Sequence, residues 1–451
     1  MSKSSATARR ILNIALPAIV SNVTVPLLSL ADTAIVGHLG NVLYIGAIAV
    51  ASTIFNMIYW LFGFFRASTS GFTAQENGSN RMDGVADVLL RSSLFAFFVG
   101  VVLLLLQIPI LQFALYMIHP TPAVAEQASL YFRICIWGAP VVLMLNGFNG
   151  WFIGLQQTRI TMTVALVQNV VNVLLSLVFV FVFGMKVSGV ALGTLLAQYI
   201  GWLLAVSFIM KRKRRQQYGI NQSLLMKSRF VGVFRKSKSF ICINRDIFLR
   251  TLCLLSVTLW FTSSGARQSN EILAANALLL QFFYLFSYFM DGFANAGESL
   301  AGYYVGAGDN EGCRRMLRVL FVIGAILSLV FVVLYGVFGR TFLGLLTDET
   351  SVVEVSLHYI AWSLAVPICS FAAFLWDGIY IGFTASRHLL LSALGATVAY
   401  FLSYYLTFDV WGNDALWFSF CIYLLLRGVL QTVFYHNSSK FRIIPAVNYN
   451  N

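Results

Sequence analysis

The run "LFAFFVGVVLLLLQIPI", residues 94–110, contains no charged side chain. A strand of a transmembrane barrel is a stretch of about ten residues that alternates apolar and polar, and this run does not alternate. Its continuity suits a helix that crosses a bilayer, which needs about 20 mostly apolar residues and satisfies its own backbone hydrogen bonds where water is absent. The rest of the chain fits the same setting. Of 451 residues, 59% are hydrophobic and 10% charged, whereas a soluble domain carries about 25% charged residues.

Working outward from that run, we expect an all-α, multi-pass membrane protein with twelve spans. Their limits are about 11–37, 43–72, 88–118, 129–154, 160–184, 187–210, 247–265, 272–306, 315–339, 356–382, 388–408 and 413–435. The opening apolar run continues well past the h-region of a signal peptide and reads as a retained first span. Three domains follow: an N-lobe at 1–210, a basic linker at 211–246 and a C-lobe at 247–451.

The net charge of +13 is distributed by side. Loops on the side of the N-terminus hold about two dozen lysines and arginines, and the opposite loops hold Lys186, Arg267 and Arg340, which by the positive-inside rule puts both termini in the cytoplasm. The run "KRKRR" at 211–215 therefore reads as a topology anchor on anionic lipid rather than a nucleic-acid patch. Cysteines 135, 242, 253, 313, 369 and 421 and histidines 38, 119, 358, 388 and 436 are scattered. They form no metal, haem or nucleophile constellation, so an enzyme, a cofactor and a resident metal are not expected.

Residues 149–159, "NGWFIGLQQTR", align with 377–387, "DGIYIGFTASR", at an offset of 228. Gly150, Ile153, Gly154 and Arg159 meet Gly378, Ile381, Gly382 and Arg387, and Gly78 meets Gly306 at the same offset. Pro140 meets Pro367 with a slip of one residue. Six spans separate the copies, so both run the same way through the membrane. Parallel repeats around a central cavity are an arrangement of secondary transporters.

An acid inside such a helix is expensive and marks a functional candidate, commonly on a proton pathway. Asp32 lies in "VPLLSLADTAIVGHLG", 25–40, five residues before Gly37 and so about 7–8 Å from the outer end of its helix. Pro26 lacks a backbone donor and can kink the same helix. In the fifth span Asn169, Asn172 and Ser176 share one face. In the second half Asp291 and Glu298 lie two turns apart, and Asp377 sits toward the cytoplasmic end of the tenth span. Arg66, Arg133 and Arg427 are placed to snorkel and are read as structural.

The segments "ALPAIVSNVTVPLLSLADTAIVGHLG" (15–40), "STSGFTAQENG" (68–78), "NRDIFLR" (244–250), "MDGFANAGES" (290–299) and "WDGIYIGFTASR" (376–387) resemble the multidrug and toxic compound extrusion (MATE) family, DinF-like branch. The resemblance implies a monomeric, two-lobed exporter of organic, cationic multidrug-type compounds in a bacterial plasma membrane, driven by protons or, as the second choice, sodium. It implies that Asp32 is the proton-coupling acid, with Asn22, Pro26, Asn169, Asn172 and Ser176 as N-lobe partners. Asp291, Glu298 and Asp377 would line the C-lobe cavity. Many relatives carry an acid where Ser176 stands, and sodium-coupled relatives carry a glutamate in the seventh span that is missing between Asp246 and Glu271. Both departures favour protons, since a hard cation wants several oxygen ligands. A flippase for lipid-linked sugars or another lipid is the nearest alternative, and its pyrophosphate cargo would call for deep arginines and lysines. An ion channel fits the twofold repeat less well.

Overall fold

The computed structural model describes residues 3–38, 42–211, 217 and 237–437. Apart from Lys211, the basic run at 211–215 lies outside the described residues, as does most of the expected linker and with it the lipid contact assigned there.

Fifteen α-helices account for nearly everything described, and among the described residues there is no strand. The first half holds α1 (Lys3–Gly37), α2 (Val42–Leu61), α3 (Phe64–Gly78), α4 (Met82–Leu105), α5 (Gln107–Ile118), α6 (Pro122–Cys135), α7 (Ala139–Gly154), α8 (Thr158–Leu177) and α9 (Lys186–Met210). The second half holds α10 (Ser237–Gln268), α11 (Asn270–Ala307), α12 (Asn310–Leu346), α13 (Thr350–Gly382), α14 (Ser386–Trp411) and α15 (Asn413–Asn437). Among the described residues, eleven helical stretches are long and apolar enough to cross a membrane. The seventh expected span, 247–265, lies inside α10, which is outside that set of eleven and carries Lys238, Arg245, Asp246 and Arg250 in its first half.

Several expected spans are broken where the sequence gave little warning. The second is α2 and α3 joined at Phe62–Gly63, and the third is α4 and α5 joined at Leu106. The fourth is α6, a tight 3₁₀ turn at Ile136–Gly138, and α7, which opens with Pro140 in its first turn. Its counterpart α13 runs unbroken through Pro367. The expected kink at Pro26 is not a break either, because α1 is one helix of 35 residues.

The repeat is visible in the backbone. Helices starting at Val42, Met82, Pro122 and Thr158 recur at the offset of 228 as Asn270, Asn310, Thr350 and Ser386. Left-handed turn residues recur at the same offset: Asn80 with Gly308, Gln156 with Thr384, and Gly184 with Gly412. Gly150 and Gly378 are needed for one duplicated helix crossing. A Cβ at Gly150 would run into the Arg66 carbonyl oxygen of α3, and one at Gly378 into the Ala294 carbonyl oxygen of α11. Position 294 is position 66 carried forward by 228.

The chain clusters into two compact units, Met1–Ile19 with Ile241–Asn451, and Val20–Phe240. This division differs from lobes bounded at 210 and 247, since the start of α1 groups with the second half and the residues up to Phe240 group with the first. Within the Val20–Phe240 unit, Phe55 stacks on Phe132 at 5.1 Å, and buried Trp151 donates to the Val85 carbonyl at 3.0 Å. Within the other unit, Asn276 and Asn413 exchange amide hydrogen bonds of 2.8 and 3.1 Å, and Trp417 donates to Asn276 Oδ1 at 2.8 Å. The start of α1 also packs there: Arg10 stacks over the Tyr303 ring at 4.6 Å, and a Cβ on Gly292 would collide with Ile19.

Candidate functional site

In the Val20–Phe240 unit, the C-terminal part of α1 presents Asp32, whose Oδ1 is buried with no hydrogen-bond partner among the described residues. Tyr131 and Cys135, one helical turn apart on α6, lie within electrostatic reach of Asp32. Both are enclosed, at 4% and 1% exposure. The Tyr131 hydroxyl meets Thr194 Oγ1 of α9 at 3.4 Å, and Cys135 Sγ donates to the Ala191 carbonyl at 3.4 Å.

Thr194 Oγ1 also accepts from Asn172 Nδ2 of α8 at 3.0 Å, and Ser176 Oγ donates to Asn172 Oδ1 at 3.5 Å. Asn172 and Ser176 are 2% and 0% exposed, whereas Val170 and Leu174 of the same helix are each 57% exposed. The polar face of α8 therefore points into its unit. Asn169 Nδ2 donates to the Thr24 carbonyl at 3.3 Å, which ties α8 to α1 two residues before Pro26. Asn22 and Pro26 are half-buried on the same segment of α1. Tyr131, Cys135 and Thr194 were missed by the sequence reading. Their one available signal was that Tyr131 and Cys135 share a face of α6 in an otherwise apolar stretch.

The other unit treats its acids differently. Asp377 is buried, and its Oδ2 accepts from both Arg250 Nη2 of α10 and Arg427 Nη2 of α15. Its Oδ1 accepts from Gln431 Nε2 at 2.7 Å. The expectation that Arg427 snorkels is overturned, since this arginine is 5% exposed and paired with Asp377. Asp246 is likewise engaged, by Arg245 at 2.8 Å and by Ser386 Oγ at 2.9 Å. Glu298 is 1% exposed on α11, and its backbone carbonyl fills the place a Cβ on Gly382 would need. Asp291 is half-buried two turns earlier, near Tyr288. Asp291, Glu298 and Asp377 thus share one unit, and Asp32, Asn22, Pro26, Asn169, Asn172 and Ser176 share the other. Among the described residues, no group of three or more His, Cys, Asp or Glu side chains could hold a metal ion.

The MatE family pattern matches residues 17–178 and 247–406, one segment in each half. The chain is 34% identical over 417 residues to DNA damage-inducible protein F of Escherichia coli K12, covering 92% of this chain and 89% of that one. It is 24% identical over 491 residues to Protein DETOXIFICATION 43 of Arabidopsis thaliana, covering 94% of this chain and 89% of the relative. The fold matches an outward-facing multidrug resistance MATE transporter of the MOP superfamily with a TM-score of 0.85 at 16% identity, over 99% of this chain and 100% of that one. It also matches the Vibrio cholerae MATE transporter VcmN in the bent form, with a TM-score of 0.84 at 18% identity, over 98% and 99% of the two chains. The chain belongs to the MATE family of multidrug and toxic compound transporters, whose members are not enzymes.

Proposed function

We propose that this transporter exports organic, cationic multidrug-type compounds from the cytoplasm in exchange for protons, with Asp32 as the coupling acid. The observation that carries the reading is the contrast between two aspartates. Asp377 is held by two guanidiniums and an amide, whereas among the described residues no ion pair engages Asp32 and its Oδ1 is buried without a donor. A carboxyl in that state has room for a proton and no fixed cation to displace. Tyr131, Thr194, Asn172 and Ser176 supply hydroxyl and amide groups that can reorganise as the proton comes and goes. Asn169, one turn before Asn172, bonds the Thr24 carbonyl and ties the helix that carries the network to the proline-bearing part of α1. Alternating access follows if the two protonation states favour different arrangements of α1, because cargo and proton then bias one shared equilibrium.

The reading places both termini in the cytoplasm of a bacterial plasma membrane and takes a single copy as the working unit. Transport of a fluorescent organic cation by the wild type in proteoliposomes tests it. An imposed proton gradient should drive uptake and an imposed sodium gradient should not; drive by sodium alone would overturn proton coupling.

A further inference from the structure

We propose that Arg250 and Arg427 form an anion-binding subsite for a carboxylate or phosphate group, for which the Asp377 carboxylate competes. The charge count motivates it. Two guanidiniums converge on one oxygen of one carboxylate, so the cluster retains one positive charge in excess. Arg427 is 5% exposed and the Arg250 side chain 13%, so water does not neutralise that excess as it would at a surface. A buried charge without a counter-charge is strongly unfavourable, which makes the cluster a place where an anion is stabilising. Asp246, one turn before Arg250 on α10, is already bound by Arg245 and Ser386.

The hydrogen-bonding inventory points the same way. Asp377 is used on both oxygens, yet the Nε donors of Arg250 and Arg427 have no acceptor. The Arg427 guanidinium lies over the Tyr423 ring at 5.4 Å, which places a buried phenol beside the forks. Gln431 Oε1 is an acceptor of the cluster left without a donor, so two guanidinium Nε donors face one free amide oxygen around a pair of planar forks whose geometry suits oxyanions. The cluster belongs to one repeat only. At the offset of 228, Asn22 stands for Arg250, Asn149 for Asp377, and Tyr199 for Arg427. The first repeat is therefore neutral at all three positions, and the assignment does not depend on the role of Asp32.

The full chain in neutral detergent, followed by tryptophan fluorescence on heating, tests the subsite with inorganic phosphate against chloride at equal ionic strength. Phosphate should raise the unfolding midpoint of the wild type beyond the chloride control. Asp377→Asn removes the competing carboxylate and should lower the phosphate concentration for half effect roughly tenfold, while Arg250→Gln should raise it roughly tenfold. Arg250→Lys keeps the charge and loses the fork, so its preference for phosphate over chloride should weaken. A second arm compares phosphatidylglycerol with phosphatidylcholine in mixed micelles. If a lipid headgroup is the natural source, phosphatidylglycerol raises the midpoint and abolishes the further response to phosphate; if a soluble anion is, that response persists. Equal shifts with phosphate and chloride in the wild type, together with no effect of phosphatidylglycerol, overturn the subsite. So does an Arg250→Gln response identical to that of the wild type.

Discussion

Asp32 and Asp377 are the same side chain in two apolar helices, and their surroundings assign them different work. Removing the Asp377 charge strands two buried guanidiniums, so Asp377→Asn should cost about 3–5 kcal/mol of stability, read as a lower midpoint in denaturant with phosphate absent. Asp32→Asn changes a group whose Oδ1 makes no hydrogen bond and should cost under about 1 kcal/mol in the same assay. Asp32 was legible in the sequence because a lone acid in an apolar stretch has few explanations. Its neighbours were not, because Tyr131 and Thr194 arrive from other helices and no local pattern announces a tertiary contact. Arg427 was misread for the same reason: its partner Asp377 is 50 residues away, and proximity to a span end suggested the surface.

At the scale of elements, apolar continuity located most of the helices and glycine spacing located the duplicated crossing. Gly150 and Gly378 each face a backbone carbonyl that cannot move aside cheaply. Gly150→Ala and Gly378→Ala should therefore each destabilise by about 1–3 kcal/mol, and by similar amounts, in a thermal or denaturant assay. A large loss at one site and none at the other would argue against equivalent crossings. The breaks at Phe62–Gly63, Leu106 and Ile136–Gly138 were not legible, because each joint lies inside an unbroken stretch of apolar residues and glycine. Proline was an ambiguous guide, since α7 carries Pro140 in its first turn while α13 and α1 continue through theirs. The bond from Asn169 to the Thr24 carbonyl makes α8 a support for α1 beside Pro26. Asn169→Leu should speed amide hydrogen exchange in α1 near residues 24–30 and leave the exchange of α14 unchanged.

At the scale of the whole molecule, the offset of 228 first seen in eleven residues recurs in helix starts and in three pairs of left-handed turn residues. Duplication was legible because the two copies kept the close-packed glycines Gly150 and Gly154, matched by Gly378 and Gly382. The loss of symmetry was less so, since the unpaired acid of one unit and the arginine clamp of the other depend on side chains converging from several helices. The proposed orientation rests on the placement of lysines and arginines, and Cys242, exposed near the start of α10, can report on it. A membrane-impermeant maleimide should label Cys242 in inside-out vesicles and spare it in intact cells, with Cys242→Ser as the control.

The most direct measurement is efflux driven by an imposed pH gradient in proteoliposomes, comparing wild type, Asp32→Asn and Tyr131→Phe. The account predicts that Asp32→Asn abolishes proton-driven transport while the purified protein keeps its wild-type unfolding midpoint, and that Tyr131→Phe slows transport without abolishing it. Proton-driven efflux at the wild-type rate in Asp32→Asn would contradict it.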